Sequence, residues 1–175
     1  MKERVLGKWL LAVLSVVLGG ALIVTVAGCG GGGGSGQGQD AASLPPDPGE
    51  AGKQTLEGID SDNDGVRDDL QRYIILTYSD TPTRQALAQY AKAQQSMILS
   101  SGSAEQSLNS ANEIVRSVEC IAFTRPDDFS QVIDAARAEL LNTEARIRAF
   151  VAANTHVSGM VFTMTDSEEL ANSCK

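Results

Sequence analysis

Between Gly30 and about Thr55 the chain has little with which to build a core, and that gap fixes where a fold can form. Gly30 to Gly34 run on through Ser35, Gly36, Gln37 and Gly38, and Pro45, Pro46 and Pro48 stiffen the far end. Ordering glycine costs more backbone entropy than ordering any other residue, and this stretch offers almost no apolar burial in return. A flexible segment of about 26 residues spans about 25–30 Å on average, so the stretch reads as a spacer. What remains is one domain, residues 56–175, roughly 120 residues long and large enough for a single hydrophobic core.

Apolar residues in that domain recur at helical rather than alternating spacing. Val66, Leu70, Tyr73, Ile74, Thr77 and Tyr78 mark a first helix, and Ser79-Asp80-Thr81-Pro82 interrupts it. Thr81 suits an N-cap, with Pro82 at the first helical position, where a missing N–H is harmless. Leu87, Tyr90, Ala91, Met97 and Ile98 define a second helix that stops near Ser101-Gly102. Ser103 and Gln106 have capping-box spacing, and Leu108, Ala111, Val115, Val118 and Ala122 follow as a third stripe, ended by Arg125-Pro126. Asp127 or Asp128 then caps a long fourth helix with Phe129, Val132, Ile133, Ala136, Leu140, Ile147 and Val151 on its core face, ending near Asn154. Glu144 and Arg148 add an i,i+4 ion pair of favourable order. Residues 157–165 read as extended or as a loop, and Asp166 with Glu169 opens a short last helix reaching Cys174. The expected fold is all-α, a small bundle of about four to five helices, with ordinary core stripes rather than cofactor boxes.

Lys2, Arg4 and Lys8 precede an uncharged run from Trp9 to Ala27 that closes on Val26-Ala27-Gly28-Cys29. A positive start, an apolar stretch and small residues before a cysteine resemble a bacterial lipoprotein signal peptide ending in a lipobox. The resemblance covers residues 1–29. It implies that residues 1–28 are removed and that Cys29 carries a diacylglyceryl group and usually an acylated amine. Two or three chains anchor stably where one is marginal. The mature chain would then be a lipidated tether, 29–55, and an extracytoplasmic head, 56–175. Gly30 rather than Asp after the cysteine favours the outer membrane in a Gram-negative cell; a Gram-positive cell surface remains open. An uncleaved spanning helix, which needs about 20 apolar residues, is the plainer alternative. Against it stands the flexible sequence, without basic residues, that follows at once.

The net charge is −8, to which the first 28 residues contribute +2, so the remainder carries −10. The basic residues of that remainder are scattered, which argues against nucleic acid or an anionic membrane surface as partners. With Cys29 lipidated, Cys120 and Cys174 remain, and an oxidising compartment pairs them. Such a bridge would fasten the C-terminal segment to the third helix, worth roughly 4 kcal/mol by loop-closure entropy.

The most distinctive chemistry lies in Asp60-Ser61-Asp62-Asn63-Asp64-Gly65-Val66-Arg67-Asp68. Calcium is a hard ion that takes six to eight oxygens, and alternating carboxylates around a glycine turn supply them at short range. The stretch resembles the DxDxDG loops of EF-hand-like and thrombospondin type 3 repeats. That resemblance implies Ca2+ held by Asp60, Asp62, Asp64, the Val66 carbonyl and Asp68. The loop, 60–71, ends in Gln71 where an EF-hand has a bidentate Glu, and Asp69 is a candidate substitute. No clear helix precedes the loop and no second loop pairs with it, so the expected affinity is weak, about 10⁻⁴–10⁻³ M. The alternative is an acidic helix cap, with Asp62 or Asp64 accepting backbone N–H groups and Asp68 and Asp69 suiting the helix dipole.

His156 is the only histidine and has no nucleophile motif beside it; neither GxSxG, HExxH, a P-loop nor a dinucleotide fingerprint occurs. The expected function is non-enzymatic: a calcium-stabilised head that binds another envelope protein or serves the envelope structurally. Three alternatives stay open, namely an inhibitor or immunity protein against a basic secreted enzyme, a calcium sensor, and a calcium-dependent hydrolase.

Overall fold

The computed structural model describes residues 44–175, and all elements among them are helical. The signal segment, Cys29 and the glycine run lie outside the described residues. Five α-helices form: α1 (Asp68–Thr77), α2 (Thr81–Leu99), α3 (Ala104–Thr124), α4 (Phe129–Leu140) and α5 (Glu144–Val157). Short 3₁₀ helices at Gly49–Lys53 and Ser167–Ser173 flank them. The fold is the all-α bundle expected.

α2 and α3 form the central antiparallel hairpin. Leu87, Tyr90 and Ala91 of α2 share a core with Cys120 and Ile121 of α3, together with Leu70 and Ile74 of α1 and Val132, Ile133, Ala136 and Leu140 of α4. At the other end Met97 and Ala111 meet Ala153 and Val157 of α5. The turn between α2 and α3 buries two serines that satisfy each other, Ser100 Oγ lying 3.1 Å from Ser107 Oγ, while Ser107 Oγ donates to the Ser100 carbonyl.

The face that α3 buries differs from the apolar stripe. Ser107, Ser110, Ala111, Ser117, Cys120 and Ile121 point inward, whereas Val115 and Ala122 are only partly covered. Small hydroxyl-bearing residues let α2 approach closely, and their hydroxyls bond within or beside the helix, as Ser117 Oγ does to the Ile114 carbonyl. The caps also shift in places. Asp80, not Thr81, caps α2 by accepting from Thr83 N–H at 2.8 Å, which places Pro82 one position further in. Ser103 caps α3 as expected, accepting from Gln106 N–H.

The long fourth helix is two helices. Thr143 accepts from Arg146 N–H at 3.2 Å and starts α5 afresh after Leu141 and Asn142. Ile147 and Val151, read as core, consequently lie on the solvent side of α5. α5 runs past Asn154 to Val157, so His156 sits in its last turn, its Nε2 3.1 Å from the Ser101 carbonyl. Part of the stretch assigned to the spacer, from residue 45 on, touches the bundle. Pro45 and Gly52 are buried, Arg72 donates to the Pro45 carbonyl, and the carbonyls of Gly52, Thr55, Leu56 and Glu57 accept from Arg146 or Gln95.

Thr143 is the hydroxyl that separates α4 from α5, and removing a cap of this kind costs about 1 kcal/mol. Thr143→Ala should lower the unfolding free energy by that amount, read as a lower urea midpoint at an unchanged slope, whereas Thr155→Ala, an exposed residue, should leave the midpoint within error.

Candidate functional site

The acidic loop is closed at its base before it does anything else. Asp68 N–H donates to the Ile59 carbonyl at 2.7 Å, and the Asp68 carboxylate accepts from Ser61 N–H and Ser61 Oγ. Inside that ring, side chains of the loop fold onto its own backbone. Asp60 accepts from Asp64 N–H and Gly65 N–H, Asp62 accepts from Asp64 N–H, and Asp64 accepts from Val66 N–H at 2.7 Å. Asn63 and Gly65 take positive φ, 56° and 88°, which turns the chain sharply twice. Asn tolerates that region better than most residues, and glycine adopts it without strain.

These turns bring one oxygen each of Asp60, Asp62 and Asp64 within 4.8 Å of one another. Asp68 does not join them. Its carboxylate is buried and spent on Ser61, so its role is to lock the loop rather than to extend the oxygen cluster. Gln71, at the position of the EF-hand glutamate, reaches back and donates to Asp62 Oδ2 at 3.1 Å. That bond holds the Asp62 carboxyl below its ordinary pKa. Burial pushes the Asp64 carboxyl up, opposed by its bond from Val66 N–H and reinforced by the neighbouring charge of Asp62. The stem of Lys92 from α2 passes beside Gly65, where a β-carbon would meet Lys92 Cε at 3.4 Å.

Asp69 is the second departure from expectation. It points away from the loop and pairs with Arg67, whose Nε and Nη2 lie 2.9 and 3.0 Å from its two oxygens. Arg67 is 1 % exposed, and its remaining donors go to Gln95 Oε1 and to the Glu139 and Leu140 carbonyls. Those carbonyls end α4, where a cation also suits the helix dipole. Arg146 is buried beside it and donates to Asn142 Oδ1 and to the carbonyls of Gly52, Thr55 and Leu56, with one nitrogen 3.9 Å from Asp69. Gly58, at φ 69°, has no room for a side chain, because a β-carbon would sit 2.6 Å from Arg67 Cδ and 2.9 Å from Arg146 Nη2. Burial raises the Asp69 pKa, but the Arg67 bonds and charge more than offset it, so the carboxyl titrates below its ordinary value.

In the sequence Arg67 and Arg146 stand among basic residues scattered along the chain. The signals that marked them were the glycine at 58 and the cap-forming Asn142-Thr143 beside Arg146. The expected cysteine pair is present, with Cys120 and Cys174 Sγ atoms 2.07 Å apart. No protein family, curated protein or solved structure matches the chain.

Removing one partner of a buried ion pair costs about 3–5 kcal/mol, because the other charge is left unpaired. Asp69→Ala should therefore lower stability at pH 7 by about that amount. Because its pKa is lowered in the fold, Asp69 stabilises above the unfolded carboxylate value and loses that contribution as pH falls through the folded one. Urea unfolding between pH 5 and pH 2 should show a gap between wild type and Asp69→Asn that narrows as the pH drops.

Proposed function

We propose that this chain is an extracytoplasmic lipoprotein, anchored through Cys29, whose helical head is stabilised by Ca2+ and serves the cell envelope by binding a protein partner or as a structural element. The Val26-Ala27-Gly28-Cys29 box behind its uncharged run supports the anchor. The observation that carries the calcium reading is the convergence of Asp60, Asp62 and Asp64 in a loop whose backbone is already turned. Three like charges at that spacing repel, and a divalent cation relieves the repulsion as it replaces water.

Asp60, Asp62 and Asp64 would supply three oxygens and the Val66 carbonyl a fourth, with water completing the sphere. Gln71 is the further candidate, since its side-chain oxygen is buried without a partner while its nitrogen faces Asp62. Turning that amide over would exchange the two. A site with one loop and no twelfth-position carboxylate fits a structural ion held weakly, in the range of extracellular modules. The partner would be another envelope protein, reached by the head on its tether.

Thermal melting of residues 30–175 with calcium and with a chelator tests the metal. At a hundredfold excess over Kd, binding should add about 2.7 kcal/mol, or about 10 °C for a domain of this size. Asp62→Ala/Asp64→Ala should abolish the shift. An equal melting temperature in calcium and chelator for the unaltered chain would reduce the loop to a helix cap.

A further inference from the structure

The chain after α5 is attached to the bundle in an unusual way. From Ser158 to Lys175 only Ser173 is fully buried. Phe162 and Cys174 are the apolar side chains of this stretch that pack against the cores. Met160, Val161 and Met164 face solvent, Val161 being 96 % exposed. Hydrophobic burial therefore does little to hold the stretch, and two other fastenings do the work.

One is covalent, the Cys120–Cys174 disulfide. The other is Glu119, the neighbour of Cys120 on α3 and 1 % exposed. Its carboxylate accepts three bonds, all from the C-terminal stretch: Thr165 N–H at 2.6 Å, Thr165 Oγ1 at 2.9 Å and Ser173 Oγ at 2.5 Å. No Lys or Arg forms an ion pair with it among the described residues. A buried anion satisfied only by the segment it retains makes that segment a discrete, cooperative unit. Minor ties are Gln89, which bonds Ser173 and Lys175, and the Lys175–Glu113 ion pair at the surface.

We propose that residues 158–175 form a redox-released strap, unlocked by a dithiol reductant while the five-helix bundle stays folded. Cys120 is buried and Cys174 partly exposed, so the reductant's thiolate attacks Cys174 Sγ. A new S–S bond forms there, the Cys120–Cys174 bond breaks, and Cys120 leaves as a thiolate that takes up a proton. The reductant's second thiol then attacks its own bridging sulfur and releases Cys174 as a thiol. Two electrons and two protons pass to the protein, and the dithiol becomes a cyclic disulfide. The strap is then held by Glu119, and its release bares Glu119, Cys120 and the edge of the core cluster against which Phe162 packs.

Cleavage of the full chain in detergent by a glutamyl endopeptidase, which cuts after Glu168 and Glu169, tests this. Cys120→Ser/Cys174→Ser should speed cutting in the strap by at least about tenfold. Adding Glu119→Gln should speed it about tenfold again, and Thr165→Val/Ser173→Ala, which removes the two hydroxyl donors and keeps the Thr165 N–H, should act in the same direction. The helical circular dichroism at 25 °C should be unchanged throughout. Dithiothreitol on the unaltered chain should reproduce the first effect, and a glutathione adduct should map to Cys174. Equal cutting rates with and without the disulfide would overturn the proposal. Loss of helical signal together with strap cutting would overturn it too, because the strap would then be part of the bundle's own stability. An adduct on Cys120 would overturn the route of attack.

Discussion

Two guanidinium groups buried against a single carboxylate hold four parts of the molecule in register. Arg67 belongs to the acidic loop and Asp69 to the first turn of α1; Asn142 and Arg146 come from the junction of α4 and α5. The fourth part is the 52–57 segment, whose carbonyls take up the donors of Arg146 and Gln95. One carboxylate cannot neutralise two guanidiniums, so the balance comes from carbonyl dipoles, and every N–H of Arg67 has a partner. Burying such charge is costly unless every donor is satisfied, and the geometry that satisfies them leaves little freedom elsewhere. α4 must stop at Leu140 to offer its last carbonyls, Gly58 must lack a side chain, and the loop must enter α1 at a fixed angle.

That network explains which features were legible in the sequence. Local chemistry was readable: Ser103 as a cap, the 60–65 acids around Gly65, and the stops at Ser101-Gly102 and Arg125-Pro126; the pairing of Cys120 with Cys174 is the long-range exception, since it needs only a count of cysteines. Features that depend on distant partners were not. Arg67 looks solvated in a run of aspartates, yet its partners Gln95 and Leu140 are far along the chain. Leu140, Ile147 and Val151 continue a helical stripe across a break made by Asn142 and Thr143, yet the last two of those apolar residues face water. α3 buries serines that no hydrophobic pattern reports, and residues 44–55 are ordered by arginines donated from elsewhere.

The acidic loop is thus no loose appendage. Its base is clamped by Asp68 and Ser61, and its exit by Arg67. On the proposed reading, an ion bound by Asp60, Asp62 and Asp64 stabilises more than a few loop residues, since Arg67 follows Val66 directly and reaches the α4–α5 junction. If the head is extracytoplasmic as proposed, such a weak structural ion would turn plentiful external calcium into rigidity of the loop and of what Arg67 reaches. The C-terminal strap is fastened by different chemistry on α3.

Amide hydrogen exchange with and without calcium tests this linkage most directly. The account predicts slower exchange in the 60–68 loop together with slower exchange at 141–146 and 54–58, and both effects lost in Asp62→Ala/Asp64→Ala. Protection confined to the loop would contradict the coupling through Arg67, and no change anywhere at millimolar calcium would contradict the metal site itself.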